Sequence, residues 1–558
     1  MVPNNITYEI TQSYILDQCV DKALRDRLLG YNRARDLGRL STCSKLYDPH
    51  CHGIGEWRVL RQVEALFKKN RTFANRATLR EASLQAFHES EKRCADTNRR
   101  LTDIALDSLQ FNAYEREASY QAKRYIRNVL GSFNTFQSSL TKLIKVSSGA
   151  TSTRSRRKAL PQLKLSMEPY CSSRAVEPLS SVYEAFGFER PKIRTCDSNR
   201  IELVPKDWRK DRTIACEPEG SMALQLAFDG WAKRRLRRFG QDLRDQTRNQ
   251  HLAKIASIEN HMVTVDFSSA SDTISYSTVA WLFPSEWFYF LDQVRSSHYR
   301  GVFGTGMYNK FSSMGNGSTF CIETLIFSSL CYAVGSRDHS VYGDDVIIRR
   351  KFFEPFLHMC KLFGFVVNRE KTFSHGPIRE SCGKEYFLGC DVTPVYIRNI
   401  DKRKAVQCHL INTLGRLTSP YENLGRLLVR ECVNQKLPFV PYNESSLSGI
   451  WIDPNLARRK HVLVTRHGIS TTKAYTAEMR YRLFRGVRGY YLWFLNKNLQ
   501  VRFSGPWDSD TYLECTQTSR AALFQHKYVR KRVIWHLPDT GAADVVRMHD
   551  IGNYILGK

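Results

Sequence analysis

Two adjacent carboxylates in the run Tyr342-Gly343-Asp344-Asp345 have the strongest claim to chemistry in this sequence. They follow the apolar pair Val341-Tyr342 and precede Val346-Ile347-Ile348. The pattern predicts strand, turn, strand, with Gly343 permitting the turn. On an extended chain neighbouring side chains point to opposite faces. A hairpin turn lets both carboxylates face one point, where a cation offsets their repulsion. Hard oxygen ligands of this kind suit Mg²⁺, which keeps waters and takes substrate phosphates as ligands. A further acid, Asp266, ends the alternating run His261-Met262-Val263-Thr264-Val265, so it belongs near the end of a buried strand. If that strand lies beside the hairpin, Asp266, Asp344 and Asp345 can together hold two Mg²⁺ ions for an in-line phosphoryl displacement.

Other segments fit the same chemistry. After Asp266 the chain leaves the strand as a small, polar turn, Ser268-Ser269-Ala270-Ser271-Asp272. Ser312-Ser313-Met314-Gly315-Asn316-Gly317-Ser318-Thr319 is a Gly/Asn/Ser loop leading into an apolar helix expected from Phe320 to Val334. Its glycines allow close backbone approach, and a loop on a helix N-terminus can hydrogen-bond a ribose or a phosphate. Upstream, Lys206, Arg209, Lys210 and Arg212 form a cationic cluster in VPKDWRKDRTIACEPEG. Cations over a triphosphate stabilise the charge developing on the leaving group.

The elements that must position these residues follow from periodicity. Residues 55–146 read as charged helices, with apolar positions such as Trp57-Leu60-Val63-Leu66 at three- and four-residue intervals. SSGATSTRSRRK at 147–158 reads as a flexible basic loop. Residues 199–255 mix short extended pieces with a cationic helix, WAKRRLRRFG. Strand-like runs between glycine turns fill 260–400, and helical and basic segments follow.

Composition narrows the partner. The 558 residues carry 84 Lys+Arg against 55 Asp+Glu, for a net charge of +29, and the pI is about 9.6. Such an excess points to a polyanion. No apolar run approaches the ~18 residues needed to span a membrane, mean hydropathy is −0.42, and MVPNNITYEI lacks the features of a signal peptide. Nucleic acid is favoured over an anionic membrane. Fifteen cysteines, with no CxxC pair, read as reduced core thiols. Cys43, His50, Cys51 and His52 superficially resemble zinc ligands, but their spacing fits no closed zinc module.

Cationic segment, Asp-ended strand, Gly/Asn loop with helix, then YGDD hairpin is the motif order of right-hand nucleic-acid polymerases. The chain resembles the replicase β-subunits of leviviruses, the single-stranded RNA bacteriophages of the Qβ type. The matching segments are VTVDFSSASDTIS, FSSMGNGSTFCIET, VYGDDVII and FGFVVNREKTFSHGPIRESCGKEYFLGCDVTPVYI. Weaker similarity begins near SSGATS and includes VPKDWRKDRTIACEPE and LRDQTRNQHLA.

The resemblance implies an α+β right-hand polymerase with fingers, an antiparallel-sheet palm and a thumb. It divides the chain into a helical N-terminal region bridging fingers and thumb (1–146), fingers (147–250), palm (251–400), and thumb with C-terminal region (401–558). It implies RNA-dependent RNA synthesis from ribonucleoside triphosphates on an RNA template. Asp266, Asp344 and Asp345 are the implied metal ligands for two Mg²⁺, with Mn²⁺ as substitute. Lys206, Lys210 and Arg212 would contact the triphosphate. Ser271, Asp272, Gly315, Asn316 and Thr319 would read the ribose, and Lys371 would stand near the leaving pyrophosphate, as a general acid. Implied partners are host elongation factors Tu and Ts, a ribosomal protein and an RNA-binding host factor, in the bacterial cytoplasm with no membrane. The rivals are a reverse transcriptase, which uses a bulky aromatic residue where this chain has Ser269-Ala270-Ser271-Asp272, and a non-catalytic RNA-binding virion protein.

Overall fold

The computed structural model describes residues 3–147, 149–155, 164, 168–186, 192–398, 403–442 and 444–452, with short strands between 463 and 534 and a last helix, Asp550–Gly557. Helices dominate the first part, as the spacing predicts. α1 (Pro3–Gln18) and α2 (Ile54–Lys68) precede two longer helices, α3 (Arg76–Ala105) and α4 (Ala113–Leu130). Asn75 accepts the Ala77 N–H at 3.0 Å, while Asn112 and Glu115 exchange side-chain and backbone bonds. Each helix therefore begins where a side chain satisfies its free amides.

An antiparallel hairpin of β1 (Ser198–Pro205) and β2 (Asp211–Cys216) leads into α5 (Glu219–Arg238), whose second half holds the expected cationic helix. After α6 (Thr247–Glu259) come β3 (Met262–Val265), β4 (His298–Gly301) and β5 (Gly304–Met307). α7 (Thr319–Ala333) precedes β6 (Ser340–Tyr342) and β7 (Asp345–Arg349), and α8 (Phe353–Leu362) follows. β8 (Ile378–Ser381), β9 (Lys384–Phe387) and β10 (Cys390–Asp391) form a small antiparallel sheet. β1, β2, β4 and β5 make a four-stranded sheet in the order β2-β1-β4-β5.

The central sheet has the order β3-β7-β6 and is antiparallel throughout. Its side chains alternate between two buried faces. Val263, Val265, Val346 and Ile348 join the main core with α4 and α7, while Met262 and Ile347 pack on Ala253 and Ala256 of α6. α7 is buried on all sides from Cys321 to Cys331, as an apolar helix in the middle of a core must be. Phe267, just past β3, stacks on Phe327 of α7 with ring centroids 4.2 Å apart. The strand that ends at Asp266 is thereby fixed between two helices.

A second core joins distant parts of the chain. Ile10, Ile15, Leu60, Val63 and Leu66 of α1 and α2 pack with α9 (Lys404–Leu414) and α10 (Asn423–Gln435). The Asp17 carboxylate accepts the N–H groups of Asn423 and Leu424 at 3.0 and 2.8 Å, capping α10. Buried Arg61 and Trp57 of α2 both bond Glu385 of β9, at 2.7 Å each.

Two expectations change on contact with the fold. The stretch 147–158 is described only in part, and there Thr151 and Ser152 are buried. Thr151 and Arg154 bond the Glu219 carboxylate at 3.1 and 3.0 Å, so this part is anchored and not a free loop. Cys43 is buried with its thiol on the Leu60 carbonyl, and Cys51 is exposed, so they share no ligand geometry with His50 and His52. The described cysteines are free thiols. Among the described residues no helix is long and apolar enough to cross a membrane.

Candidate active site

β6 and β7 pair Ser340 with Ile347, Val341 with Val346 and Tyr342 with Asp345, which leaves Gly343 and Asp344 as a two-residue turn. Gly343 has φ +63°, and a Cβ there would stand 2.4 Å from the Phe320 ring. The left-handed φ disfavours a side chain and the contact with Phe320 leaves no room for one, so glycine is required here. β3 runs antiparallel to β7 with Val265 opposite Val346. Asp266 follows one step past this last rung, and its charge bears on Asp345.

The open edge of β3 is covered by residues 366–373. Thr264 and Phe373 exchange N–H···O bonds at 3.3 and 3.0 Å, and Asn368 donates its N–H to the Asp266 carbonyl at 2.8 Å. This pairing delivers Lys371 to the site, its Nζ 3.2 Å from Asp266 Oδ2. Asn368 Nδ2 donates to the same oxygen at 3.0 Å. On the other side, Ser381 Oγ lies 3.4 Å from Asp345 Oδ1, and the Cys382 backbone N–H bonds the same carboxylate. Cys382 and Gly383 have φ of 49° and 73°. They make the tight turn between β8 and β9 that brings this amide in.

The acids repel one another. Burial, then the Asp344 charge, pushes the Asp345 carboxyl up to about 7. Burial also raises Asp266, with Asp344 adding to it and Lys371 opposing. Lys371 is itself raised against desolvation, by Glu380, Asp266 and Asp345. Glu323 of α7 is buried, its Oε1 has no hydrogen-bond partner among the described residues, and burial together with Asp344 and Asp272 raises it strongly. Among the described residues, no three His, Cys, Asp or Glu side chains are drawn tightly enough to cage an ion as they stand. The expected meeting of three carboxylates at one point is a meeting of strands. Asp266 bonds Lys371 and Asn368, and Asp345 bonds Ser381 and the Cys382 amide. The donor set of hard carboxylate oxygens, with Asp266 and Asp345 raised above their ordinary pKa first by burial and then by neighbouring negative charge, fits a divalent cation.

Lys206 and Lys210 lie in the turn between β1 and β2, and Arg212 is on β2 opposite Val204. Desolvation, then the charges of Lys210, Arg212 and Lys371, lowers the Lys206 pKa, so these four cations share one field. Arg71 anchors the hairpin from the second core, donating to Asp211 Oδ1 at 2.6 Å and to the Asp207 carbonyl at 2.8 Å. Arg209 pairs instead with Asp207, at 3.9 Å. Lys69 was not foreseen. It lies 3.7 Å over the Tyr396 ring, and desolvation, then Arg398 and Lys371, lowers it to about 8.

The loop 312–319 is built differently from expectation. Asn316 is buried, and its Oδ1 accepts from Ser318 N–H and Oγ at 2.9 and 2.7 Å. Thr319 Oγ1 donates to the Ser313 carbonyl at 2.9 Å, and Gln225 takes the Gly317 N–H at 2.9 Å. Gly315, at φ +110°, lies so close to β2 that a Cβ would meet the Ala215 carbonyl at 2.3 Å. These residues hold the loop's shape against β2 and α5, and the Asn316 and Thr319 oxygens are engaged within it. Ser271 is half-buried, and Asp272 Oδ1 pairs with Lys310 at 2.9 Å. Lys310, Glu323, Asn368 and Ser381 escaped sequence reasoning. Only Glu323 left a trace, as the single charge in an apolar helix.

Over residues 55–419 the chain matches the family described as RNA replicase, beta-chain. The chain belongs to this family. It is 32% identical to the RNA-directed RNA polymerase subunit beta of Enterobacteria phage SP over 447 residues, 76% of this chain and 75% of that one. To the subunit of Escherichia virus Qbeta it is 35% identical over 429 residues, 72% of each chain. A solved RNA-dependent RNA polymerase of a human picorbirnavirus is 15% identical, with a TM-score of 0.31, over 43% of this chain and 55% of that one. That likeness is too slight to carry weight. The chain is an RNA-phage RNA-directed RNA polymerase, a divalent-metal-dependent enzyme taking an RNA template and ribonucleotides. Reverse transcriptase and non-catalytic RNA binder both fall away. The α+β architecture around an antiparallel central sheet is that of a right-hand polymerase.

Proposed function

We propose that Asp266, Asp344 and Asp345 hold two Mg²⁺ ions, for which Mn²⁺ can substitute, at the end of the central sheet. When bound, the ions activate the attacking 3′-hydroxyl and neutralise the triphosphate and the leaving pyrophosphate. The register of β3 on β7, which ends one residue before Asp266 and one after Asp345, with Lys371 on the Asp266 carboxylate, carries this reading. Lys206, Lys210 and Arg212 receive the triphosphate. Lys371 holds Asp266 and stands ready as the proton donor to pyrophosphate; its acidity rises as the charge of the surrounding carboxylates is neutralised. Ser271 and Asp272 meet the ribose, and Gly315, Asn316 and Thr319 shape the loop beside it.

The domains proposed are palm 251–400, fingers 147–250, and thumb with C-terminal region 401–558, with 1–146 bridging. The bridge is supported by its two allegiances: α1 and α2 pack with α9 and α10, while α4 packs in the main core. We also infer, from the family resemblance, that host elongation factors Tu and Ts, a ribosomal protein and an RNA-binding host factor join the chain in the bacterial cytoplasm. The test is divalent-dependent nucleotide incorporation on a primed homopolymer template by parent and Asp→Asn variants. Full incorporation by Asp266→Asn or Asp344→Asn at saturating Mg²⁺ refutes the ligand set.

A further inference from the structure

Lys310 is 1% exposed and lies outside the groups that meet metal or triphosphate. Its ammonium pairs with Asp272 Oδ1 at 2.9 Å and Glu91 Oε1 at 3.6 Å. The rings of Phe87 and Tyr308 flank it at 4.7 and 5.2 Å. A buried charge of this kind is poor value for stability, because an apolar side chain of similar volume does as well or better. It does, however, fix the geometry of whatever it pairs with.

The fixing is thorough on every side. Glu91 sits on α3 and accepts the Asn309 N–H at 2.7 Å through its other oxygen. The lysine's own backbone is laid against the chain just after Asp272: Phe311 N–H bonds the Ile274 carbonyl at 2.8 Å, and Tyr276 N–H the Asn309 carbonyl at 3.2 Å. Cys94 of α3 donates to the Asp272 carbonyl at 3.5 Å. Two residues beyond Lys310 begins the loop 312–319. Asp272 keeps 23% of its side chain open while the lysine beneath it keeps 1%. One carboxylate oxygen is thus clamped from below, and Oδ2 makes no hydrogen bond among the described residues.

We propose that Lys310, backed by Glu91, is a positioning residue for sugar selection. It holds Asp272 in one orientation as a hydrogen-bond acceptor for the ribose 2′-hydroxyl of the incoming nucleotide, and links that choice to α3. This rests on the reading of Asp272 as a ribose contact. A site built to bond a hydroxyl discriminates strongly only while its acceptor is held in place.

The test compares incorporation of GTP and dGTP by the full chain, with the replicase partners its activity requires, for the parent and for Asp272→Ala, Lys310→Met, Lys310→Arg and Glu91→Gln. Asp272→Ala and Lys310→Met are expected to lower the GTP/dGTP efficiency ratio about tenfold, chiefly by raising the KM for GTP, with dGTP little changed. Lys310→Arg, which restores the charge, should recover most of the ratio, and Glu91→Gln should fall between. A lysine that merely supports the fold would lower both nucleotides together. If Asp272→Ala lowers the ratio while Lys310→Met and Glu91→Gln keep it, the positioning role is overturned and the ribose reading stands. If Asp272→Ala itself keeps the ratio, the ribose reading fails. Should Lys310→Met not fold, Glu91→Gln and Lys310→Arg decide by the same ratio: equal losses for both nucleotides overturn the proposal.

Discussion

Binding of Mg²⁺ should be coupled to release of a proton from Asp345. That carboxyl is pushed from an ordinary 3.8 to about 7, first by burial and then by Asp344. The difference is worth about 4 kcal/mol. A raised acid pKa stabilises the folded state below the unfolded value, and the contribution is lost as pH rises through about 7. In chelator, then, melting temperature should decline from pH 5 to 8 relative to Asp345→Asn, and Mg²⁺ should restore most at pH 8. With roughly 99% of the acid protonated at pH 5 and roughly 10% at pH 8, apparent Mg²⁺ affinity should rise roughly 100-fold across that interval. Asp266, raised in the same direction, steepens the dependence. Calorimetric titration of Mg²⁺ near pH 6, repeated in buffers of different ionisation enthalpy, counts the protons released, and about one is expected. An affinity flat from pH 5 to 8, or a proton count unchanged in Asp345→Asn, refutes the assignment of this acid to the metal.

Asp344→Asn and Asp266→Asn should abolish polymerisation while leaving RNA binding, measured by filter retention, close to the parent's. Gly343→Ala, which forces φ +63° on an alanine and drives its Cβ into Phe320, should destabilise by about 2–5 kcal/mol in denaturant melts and displace the turn enough to remove activity. Lys371→Met should lower single-turnover incorporation about 100-fold or more at unchanged RNA affinity, and an unaltered rate would remove it from the chemistry. The charge of +29 implies several phosphate contacts; with about five, affinity for unrelated RNA should fall about 100-fold between 50 and 200 mM salt.

The parts of the site that were legible in the sequence are those whose chemistry is local. A glycine before two acids, between β-branched runs, is enough to predict the hairpin, and alternation up to Asp266 is enough to end a buried strand there. Their adjacency was only conditional until the rung from Val265 to Val346 placed the two strands side by side. The helix expected at Phe320–Val334 runs Thr319–Ala333, since apolar composition marks a buried helix well and its first turn poorly. Asn316 shows a limit of another kind. Its Oδ1 is taken up inside the loop by the Ser318 N–H and hydroxyl, a local pairing that composition does not reveal and that leaves the buried donors satisfied.

What sequence could not show is the set of groups that govern the acids from afar. Lys310 and Glu91 are 219 positions apart by number, and nothing in FHESEKRC or MYNKFSS marks either as special. Their meeting depends on α3 crossing the chain between β3 and the loop 312–319. Local residues alone leave Lys371 readable as a surface lysine; the family resemblance singles it out, and the pairing of Thr264 with Phe373 sets it on Asp266. These two cations bear on acids at either end of one short segment, Asp266 and Asp272, and by different means. Lys371, 43% exposed, is free to leave Asp266 when a metal arrives, whereas Lys310, at 1%, cannot move without opening the core. The difference in burial therefore separates a cation that yields its acid during the reaction from one that fixes its acid throughout. Chelator and Mg²⁺ should accordingly change the environment of Lys371 and leave that of Lys310 as it was.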